Sequence, residues 1–83
     1  MRSHKEEFEM FVKNNNVEIL DSVPETDIKK GDMIIFTNDF GVKFGPREVF
    51  GFAKDPNPVT GARIYFDKSS YWAPVRISQV KLA

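Results

Sequence analysis

Apolar side chains near the N-terminus recur at the spacing of an amphipathic helix. Phe8 is followed by apolar residues at i+3 and i+4, with charged residues between and around them. Ser3 lies three residues before Glu6, the spacing of a capping box at a helix start. The pattern predicts a helix over residues 3–15, which the three asparagines at positions 14–16 bring to an end.

Beyond residue 30 the chain changes to short apolar runs rich in β-branched and aromatic residues, which favour strands. The most continuous run is Met33–Phe36, and Gly51 interrupts another run as a bulge or bend would. The pattern predicts five strands, over residues 33–36, 49–52, 62–67, 71–73 and 80–82.

The connections between these strands carry their own signals. Residues 37–47 predict a long, irregular, hairpin-like connection, and residues 55–61 predict a turn because prolines interrupt regular pairing there. Residues 74–78 predict a single 3₁₀ turn before the last strand. A short alternation at residues 17–19 predicts an additional edge strand.

The run at residues 33–36 has no polar face, so both of its faces are expected to be covered. One face is expected to line the interior of the sheet. For the other, the stripe formed by Phe8, Phe11 and Val12 is the available cover. We therefore expect the helix to pack on the outside of the sheet.

Composition and charge limit the class of protein. The 83 residues fit a single domain over residues 1–83, and 41% hydrophobic residues are typical of a globular chain. Twelve basic residues balance twelve acidic ones, so no overall field draws the protein to nucleic acid or to an anionic membrane. The chain has no cysteine, no signal-peptide core and no apolar run of membrane-spanning length, so we expect a cytoplasmic protein without membrane contact.

Two segments carry a resemblance to the SH3-like β-barrel. Lys30-Gly31-Asp32, which leads into an apolar strand, is similar to the Gly-Asp strand start of the KOW motif. Trp72-Ala73-Pro74-Val75, followed by further apolar residues, is similar to the proline-containing 3₁₀ segment that ends SH3 domains. The resemblance covers residues 28–83 and implies a mainly β fold, an SH3-like barrel of about five strands with the N-terminal helix packed on its outside.

This resemblance implies a fold and no particular ligand. The chain lacks the Ala-Leu-Tyr-Asp-Tyr signature of peptide-binding SH3 domains, and it does not concentrate the basic residues with which KOW modules hold RNA. The whole chain also resembles small single-barrel proteins of bacteria that phages and mobile elements often encode. That second resemblance implies an accessory binding protein and leaves its target open.

Candidates for catalysis or metal binding are better explained as surface and turn residues. His4, the only histidine, lies in the first turn of the predicted helix with no nucleophile arranged around it. Asp39 and Asp67 resemble an acid–base pair only in residue type, and both suit turns at strand ends. Other acidic residues lack EF-hand spacing and the glycines lack a phosphate-loop motif: Asp21, Glu25, Asp27 and Asp32, and Gly41, Gly45 and Gly51. We expect no enzyme, cofactor or metal ion.

Aromatic residues outside the apolar runs are the strongest binding signal. In an SH3-like barrel, the 37–47 loop and the 71–74 segment would flank one groove, and aromatic anchors with polar neighbours suit macromolecular contacts. The predicted contact residues are Asn38, Phe40, Phe44, Arg47, Tyr71, Trp72, Pro74 and Arg76. The alternative is that most of these rings are core, since a small barrel needs large side chains inside.

Three functional hypotheses follow. The leading one is a non-enzymatic binding module whose partner is another protein. The second is a nucleic-acid-binding accessory protein that combines stacking rings with scattered basic groups: Lys43, Arg47, Lys54, Arg63, Lys68 and Arg76. The third is a structural part of a phage or mobile-element assembly, in which a partner chain covers the apolar strands at 33–36 and 49–52. The oligomeric state stays open in all three.

Overall fold

The computed structural model describes residues 3–54, 59 and 61–83. It contains one α-helix, six strands and one 3₁₀ helix in this part of the chain. In order they are α1 (His4–Asn15), β1 (Ile19–Leu20), β2 (Met33–Thr37), β3 (Lys43–Ala53), β4 (Arg63–Phe66), β5 (Val75–Arg76), the 3₁₀ helix (Ile77–Gln79) and β6 (Val80–Leu82).

The N-terminal helix is confirmed, and its two ends follow from local chemistry. Ser3 Oγ accepts a hydrogen bond of 3.2 Å from the backbone N–H of Glu6, as the capping box predicts. At the other end Asn16 adopts a left-handed conformation with φ 52°, and its N–H donates to the Val12 carbonyl. Asparagine tolerates this conformation better than other residues with a side chain, so the helix ends there.

The strands form an antiparallel sheet in the order β5-β4-β3-β2-β6, with β1 paired to β3 off this path. Strand β3 is long enough for two sets of partners, since its first half pairs with β2 and its second half pairs with β4 and β1. Strands β5 and β6 lie at the two ends of the order although only the 3₁₀ helix separates them along the chain. The sheet must therefore curl until its edges approach each other.

The predicted closed barrel is wrong, because the sheet is not closed. The strand order ends at β5 on one side and at β6 on the other, and no pairing joins these two edges within the described residues. With two residues in β5 and three in β6, neither edge is long enough to form an extended ladder. The fold is a curled, open antiparallel sheet with an N-terminal helix.

A bulge in β3 divides the hydrophobic residues between two clusters. The register with β4 shifts between Val49 and Gly51, so Val49 and Phe52 face the inside of the curled sheet although they are three residues apart. Phe50 and Ala53 face the other way. The inner cluster contains Val23, Ile28, Ile34, Val49, Phe52, Ala62, Ile64, Phe66 and Val80.

The outer cluster lies under the helix. Phe8 is only 5% exposed, and its ring centroid lies 5.2 Å from that of Phe50 and 5.1 Å from that of Tyr65. The helix therefore packs outside the sheet as expected, but on β3 and β4 and not on residues 33–36. In β2, Ile34 faces the inner cluster while Met33 stays exposed, so the outer face of that run has no cover from the helix.

Three local predictions are corrected. Residues 71–73 form a turn and bend, and the strand that pairs with β4 comes after them as β5. The 3₁₀ helix lies at Ile77–Gln79, later than predicted. Residues 37–47 are largely strand, because β2 runs to Thr37 and β3 starts at Lys43. The turn predicted over residues 55–61 lies mostly outside the described residues.

Removing the Phe8 ring tests how strongly the helix is attached. We expect Phe8→Ala to lower the free energy of unfolding by about 3–5 kcal/mol, because the ring is buried between two other aromatic rings. Lys13→Ala, an exposed change on the same helix, should alter it by less than about 0.5 kcal/mol. Urea unfolding monitored by tryptophan fluorescence measures both values. A loss below about 1 kcal/mol for Phe8→Ala would contradict the helix packing described here.

Candidate functional site

The eight predicted contact residues do not line one groove. Their contacts place seven of them in three areas: the tip of the β2–β3 hairpin, a cleft at the open end of the inner cluster, and the flank of helix α1. The hairpin tip and the cleft both belong to β2–β3, whereas the third area is attached to the helix. The predicted single surface is therefore divided.

The hairpin tip is held by side-chain hydrogen bonds. Asn38 Oδ1 accepts from the backbone N–H groups of Phe40, at 2.9 Å, and Val42, at 3.0 Å. Asp39 Oδ1 accepts from Gln79 Nε2 at 2.9 Å and from Arg76 Nη2 at 3.4 Å. Asn38 and Arg76 thus shape and anchor the tip. The Phe40 side chain projects from it, and the residue is 91% exposed.

Phe44 and Arg47 lie in a cleft of about 360 Å³, which we call the Phe44 cleft. Its lining residues are His4, Phe36, Phe44, Arg47, Phe66, Lys68 and Ser69. The Phe36 ring centroid lies 6.0 Å from that of Phe44 and 5.2 Å from that of Phe66, so three rings run in sequence from the core to the surface.

The cleft exists because β3 extends beyond β4. Strand β4 ends at Phe66, which pairs with Val49, and the last contact of this ladder is the 2.9 Å hydrogen bond from the Asp67 N–H to the Glu48 carbonyl. Beyond that point the residues of β3 pair with β2 but with no other described strand. The inner face of the hairpin is therefore left partly open at this end.

Cationic groups surround the apolar rings of the cleft. Arg47 and Lys68 line it, and the described residues contain no ion pair for either. Lys68 Nζ lies 5.3 Å from the centroid of the Phe66 ring, a cation–π arrangement. Burial lowers the pKa of the Lys68 amine below its ordinary value, because the charged form is less well solvated there.

Serine, histidine and aspartate meet at the edge of the cleft, but they do not form a catalytic triad. His4 Nδ1 lies 2.8 Å from Asp67 Oδ1, and Ser69 lines the same cleft. No hydrogen bond joins Ser69 to His4, although both are among the described residues. Activation of a serine requires a hydrogen bond between the nucleophile and its base, and these residues do not form one.

Tyr71 and Trp72 belong to the helix flank. The Tyr71 ring packs edge-on against Phe11 of the helix, with centroids 6.3 Å apart, and against Trp72, at 5.1 Å. Tyr71 therefore joins the outer cluster, which supports the core interpretation for this ring. Trp72 lies beside Tyr71 and stays 53% exposed, and Pro74 is half-buried.

A second groove adjoins the Phe44 cleft and shares Phe44 with it. This groove, of about 420 Å³, is lined by Ile35, Thr37, Lys43, Phe44, Gly45, Lys81 and Leu82. Four cations thus surround Phe44 in the two hollows: Lys43, Arg47, Lys68 and Lys81. Of the other basic residues weighed above, Lys54 pairs with Glu18 at 2.6 Å and Arg76 contacts Asp39, so they belong elsewhere.

Sequence reasoning missed the inner walls of the cleft. Phe36 and Phe66 were predicted only as strand residues, which the structure also shows, and Ser69 was not singled out. The register of β2 with β3 brings Phe36 to the cleft, because Phe36 pairs directly with Phe44 across the hairpin. That pairing is set by the tight turn at residues 38–41. The sequence pattern of residues 37–47 does not predict where this turn lies.

The described residues show neither a metal centre nor a membrane span. They contain no group of three or more histidine, cysteine, aspartate or glutamate residues placed to hold a metal ion. Within the same part of the chain, no helix has the length and apolar character needed to cross a bilayer. Comparisons with protein-family models, curated protein sequences and solved structures found no match for this chain.

The two hydrogen bonds accepted by Asn38 predict a local stability effect. Asn38→Ala removes the acceptor, and we expect a loss of about 1 kcal/mol in the free energy of unfolding. Asn38→Asp keeps an oxygen in the same place and should retain most of that stability. Chemical denaturation of both variants checks this. Equal losses would show that the side-chain acceptor does not hold the tip.

The position of Lys68 predicts an altered titration. Because burial lowers its pKa, the folded protein should release this proton at lower pH than the urea-unfolded chain does. Between the two values the unfolded chain binds more protons, so this lysine makes the free energy of unfolding rise with pH in that range. Nitrogen-15 NMR of the lysine amines measures the titration. Identical titrations in the folded and unfolded states would contradict the burial of this amine.

Proposed function

We propose that this protein is a non-enzymatic binding module whose partner is another protein. The contact surface in this proposal is the end of the β2–β3 hairpin, with Phe40 at the tip and Phe44 in the adjoining cleft. The observation that carries the proposal is the Phe40 ring, which is held in water on an anchored turn.

Exposure of Phe40 is informative because the turn prevents its burial. A phenylalanine on a flexible loop can fold back onto apolar surface, whereas four side-chain hydrogen bonds fix the course of this tip. An aromatic side chain fixed in an exposed position is typical of a binding hot spot, since little conformational freedom is lost when a partner covers it. The arrangement therefore favours contact with a preformed pocket on a partner.

The surroundings of Phe40 extend the apolar surface. Val42 and Phe44 follow on the same hairpin and are also exposed. Phe44 comes four positions after Phe40, so their Cα atoms lie within about 14 Å of each other. A single partner can cover both rings within an interface of ordinary size.

Nucleic acid is the second candidate partner, and one observation favours it. The four cations around Phe44 provide positive charge beside an exposed ring, which is the combination that single-stranded nucleic acid requires. The balanced overall charge gives no long-range attraction to phosphate, so we rank this candidate below a protein partner.

A role in a larger assembly has less support than the sequence suggested. Of the two apolar runs, residues 49–52 are covered from both sides within this chain, since Phe50 packs under the helix and Phe52 in the inner cluster. The outer face of residues 33–36, with Met33 exposed, is the part of that hypothesis that stays open.

Affinity capture with a Phe40→Ser variant tests the proposed function. The immobilised protein is exposed to extract of its native host, with and without nuclease. We expect a protein retained by the wild type in both conditions and at least tenfold less by Phe40→Ser, because loss of a hot-spot ring costs about 2 kcal/mol or more. Titration of that purified partner measures the difference in affinity.

Met33→Ser is the matched control, since it removes another exposed apolar side chain of the same hairpin away from the tip. It should retain wild-type binding, and thermal unfolding should show both variants folded. Equal capture by Phe40→Ser and wild type would overturn the proposal. Capture lost with nuclease would favour the nucleic-acid function.

A further inference from the structure

We infer that the Phe44 cleft binds a segment of the partner protein in which an aromatic side chain stands next to carboxylate groups. This inference rests on the proposed protein-binding function and names the chemistry that the second half of the contact surface selects. The cleft supplies an apolar floor and a cationic rim, and the two features point to complementary parts of one ligand.

The floor of the cleft is suited to a flat apolar side chain. Phe66 is 1% exposed, Phe36 is half-buried and Phe44 is 42% exposed. The three rings therefore form one wall of the cleft, along which exposure increases from the core to the surface. The deepest rings are fixed by the inner cluster, which keeps the hollow open without a ligand. A volume of about 360 Å³ exceeds the roughly 150 Å³ cavity that holds benzene, so a ring and its backbone fit.

The rim of the cleft selects negative charge. Arg47 and Lys68 lie on it, and no carboxylate is among its lining residues. Asp67, the acidic residue next to Lys68, is bound to His4, and Glu48, next to Arg47, contacts Lys5 at 3.1 Å. Both neighbouring carboxylates thus already have another partner, and neither is among the residues that line the cleft.

The two cations suit carboxylates on either side of a bound ring. Arginine offers a planar pair of N–H donors that matches a carboxylate, and lysine offers a point charge. The partly buried Lys68 amine gains most from an anion, since burial has removed part of its hydration. A carboxylate placed there would raise the pKa of this amine again.

A peptide fits this cleft better than a nucleic acid does. The Phe44 cleft, with its rings along one wall, accommodates one side chain. Single-stranded nucleic acid instead binds through successive stacked bases along a positively charged groove. The chain also carries as many acidic as basic residues, so it has no net positive charge to attract a phosphate backbone, and only a few cations line the cleft. The ligand that matches a small local charge is a short acidic segment.

The test uses the 83-residue protein and four short probes. They are the acetylated, amidated peptides Glu-Asp-Phe-Asp-Glu, Gln-Asn-Phe-Asn-Gln and Glu-Asp-Ala-Asp-Glu, and the octamer of deoxythymidylate. Two-dimensional NMR of the ¹⁵N-labelled protein records binding by the amide signals of Phe44, Arg47, Lys68 and Ser69. We expect the first peptide to bind at least tenfold more tightly than either of the other two peptides.

Charge-removing variants identify the cleft as the site. Arg47→Gln and Lys68→Gln should each weaken the first peptide at least fivefold while leaving thermal unfolding unchanged. Lys13→Gln, which removes a cation from the helix, is the matched control and should bind as the wild type does. Thermal unfolding of each variant shows whether its fold is retained.

Three results would overturn the inference: no binding of the first peptide at 2 mM, equal binding of the acidic and amide peptides, or tighter binding of the deoxythymidylate octamer. These failures can be told apart from failure of the proposed function. Phe40-dependent capture of a partner would persist if only the inference about the cleft were wrong. Loss of that dependence would overturn the proposed function whatever the peptides do.

Discussion

Gly51 lies where strand β3 changes partners, and the rest of the structure depends on how the chain passes that point. Its φ of +147° is a conformation that residues with side chains rarely adopt. A Cβ atom at this position would overlap the Ile19 side chain of β1. The bulge and the close approach of β1 therefore occur together, and both require a glycine.

The bulge determines where each hydrophobic residue of β3 is buried. Because it inserts one residue, Val49 and Phe52 share the inner face, while Phe50 and Ala53 form the floor on which the helix packs. A regular strand would place Val49 and Phe52 on opposite faces and would mix the two clusters. The inner cluster and the surface on which the helix packs are therefore separated by one irregularity.

The candidate binding surface lies on the other half of the same strand. Where β4 stops, β3 continues with β2 into the hairpin, and the rings of the inner cluster reach the surface at Phe44. The Phe44 cleft is thus the uncovered end of the core. The anchored tip continues this apolar surface to Phe40, so the proposed site extends from the end of the core to the tip of the hairpin.

The elements that sequence reasoning could predict are those whose signals are local. The capping box of Ser3 and the spacing from Phe8 are contained in a few residues, and the helix was predicted from them. The strands predicted over residues 33–36 and 62–67 were likewise recognisable from composition, and the structure has them at Met33–Thr37 and Arg63–Phe66. Barrel closure was predicted wrongly because alternation indicates which face a residue occupies but not which edges pair.

The candidate site was harder to predict because its contacts are distant in sequence. His4 and Asp67 are separated by 63 positions, and Phe66 reaches the cleft only through pairing with β3. The aromatic side chain of Tyr71 favours a strand, so a strand was wrongly predicted over residues 71–73. Tyr71 instead lies in a turn, and its ring packs against Phe11 of the helix. Phe40 was predicted as a candidate contact residue, and the structure shows that it is 91% exposed, which the sequence had left open.

The most direct test of this account compares Gly51→Ala with Gly41→Ala. Both glycines have positive φ, but a Cβ at Gly41 would meet open space whereas one at Gly51 would overlap β1. We expect Gly41→Ala to lower the free energy of unfolding by about 1–2 kcal/mol, the cost of the conformation alone. Gly51→Ala should cost at least about 2 kcal/mol more, since the backbone near Ile19 must also move. Equal losses in urea unfolding would contradict the claim that the bulge and the approach of β1 fix the fold.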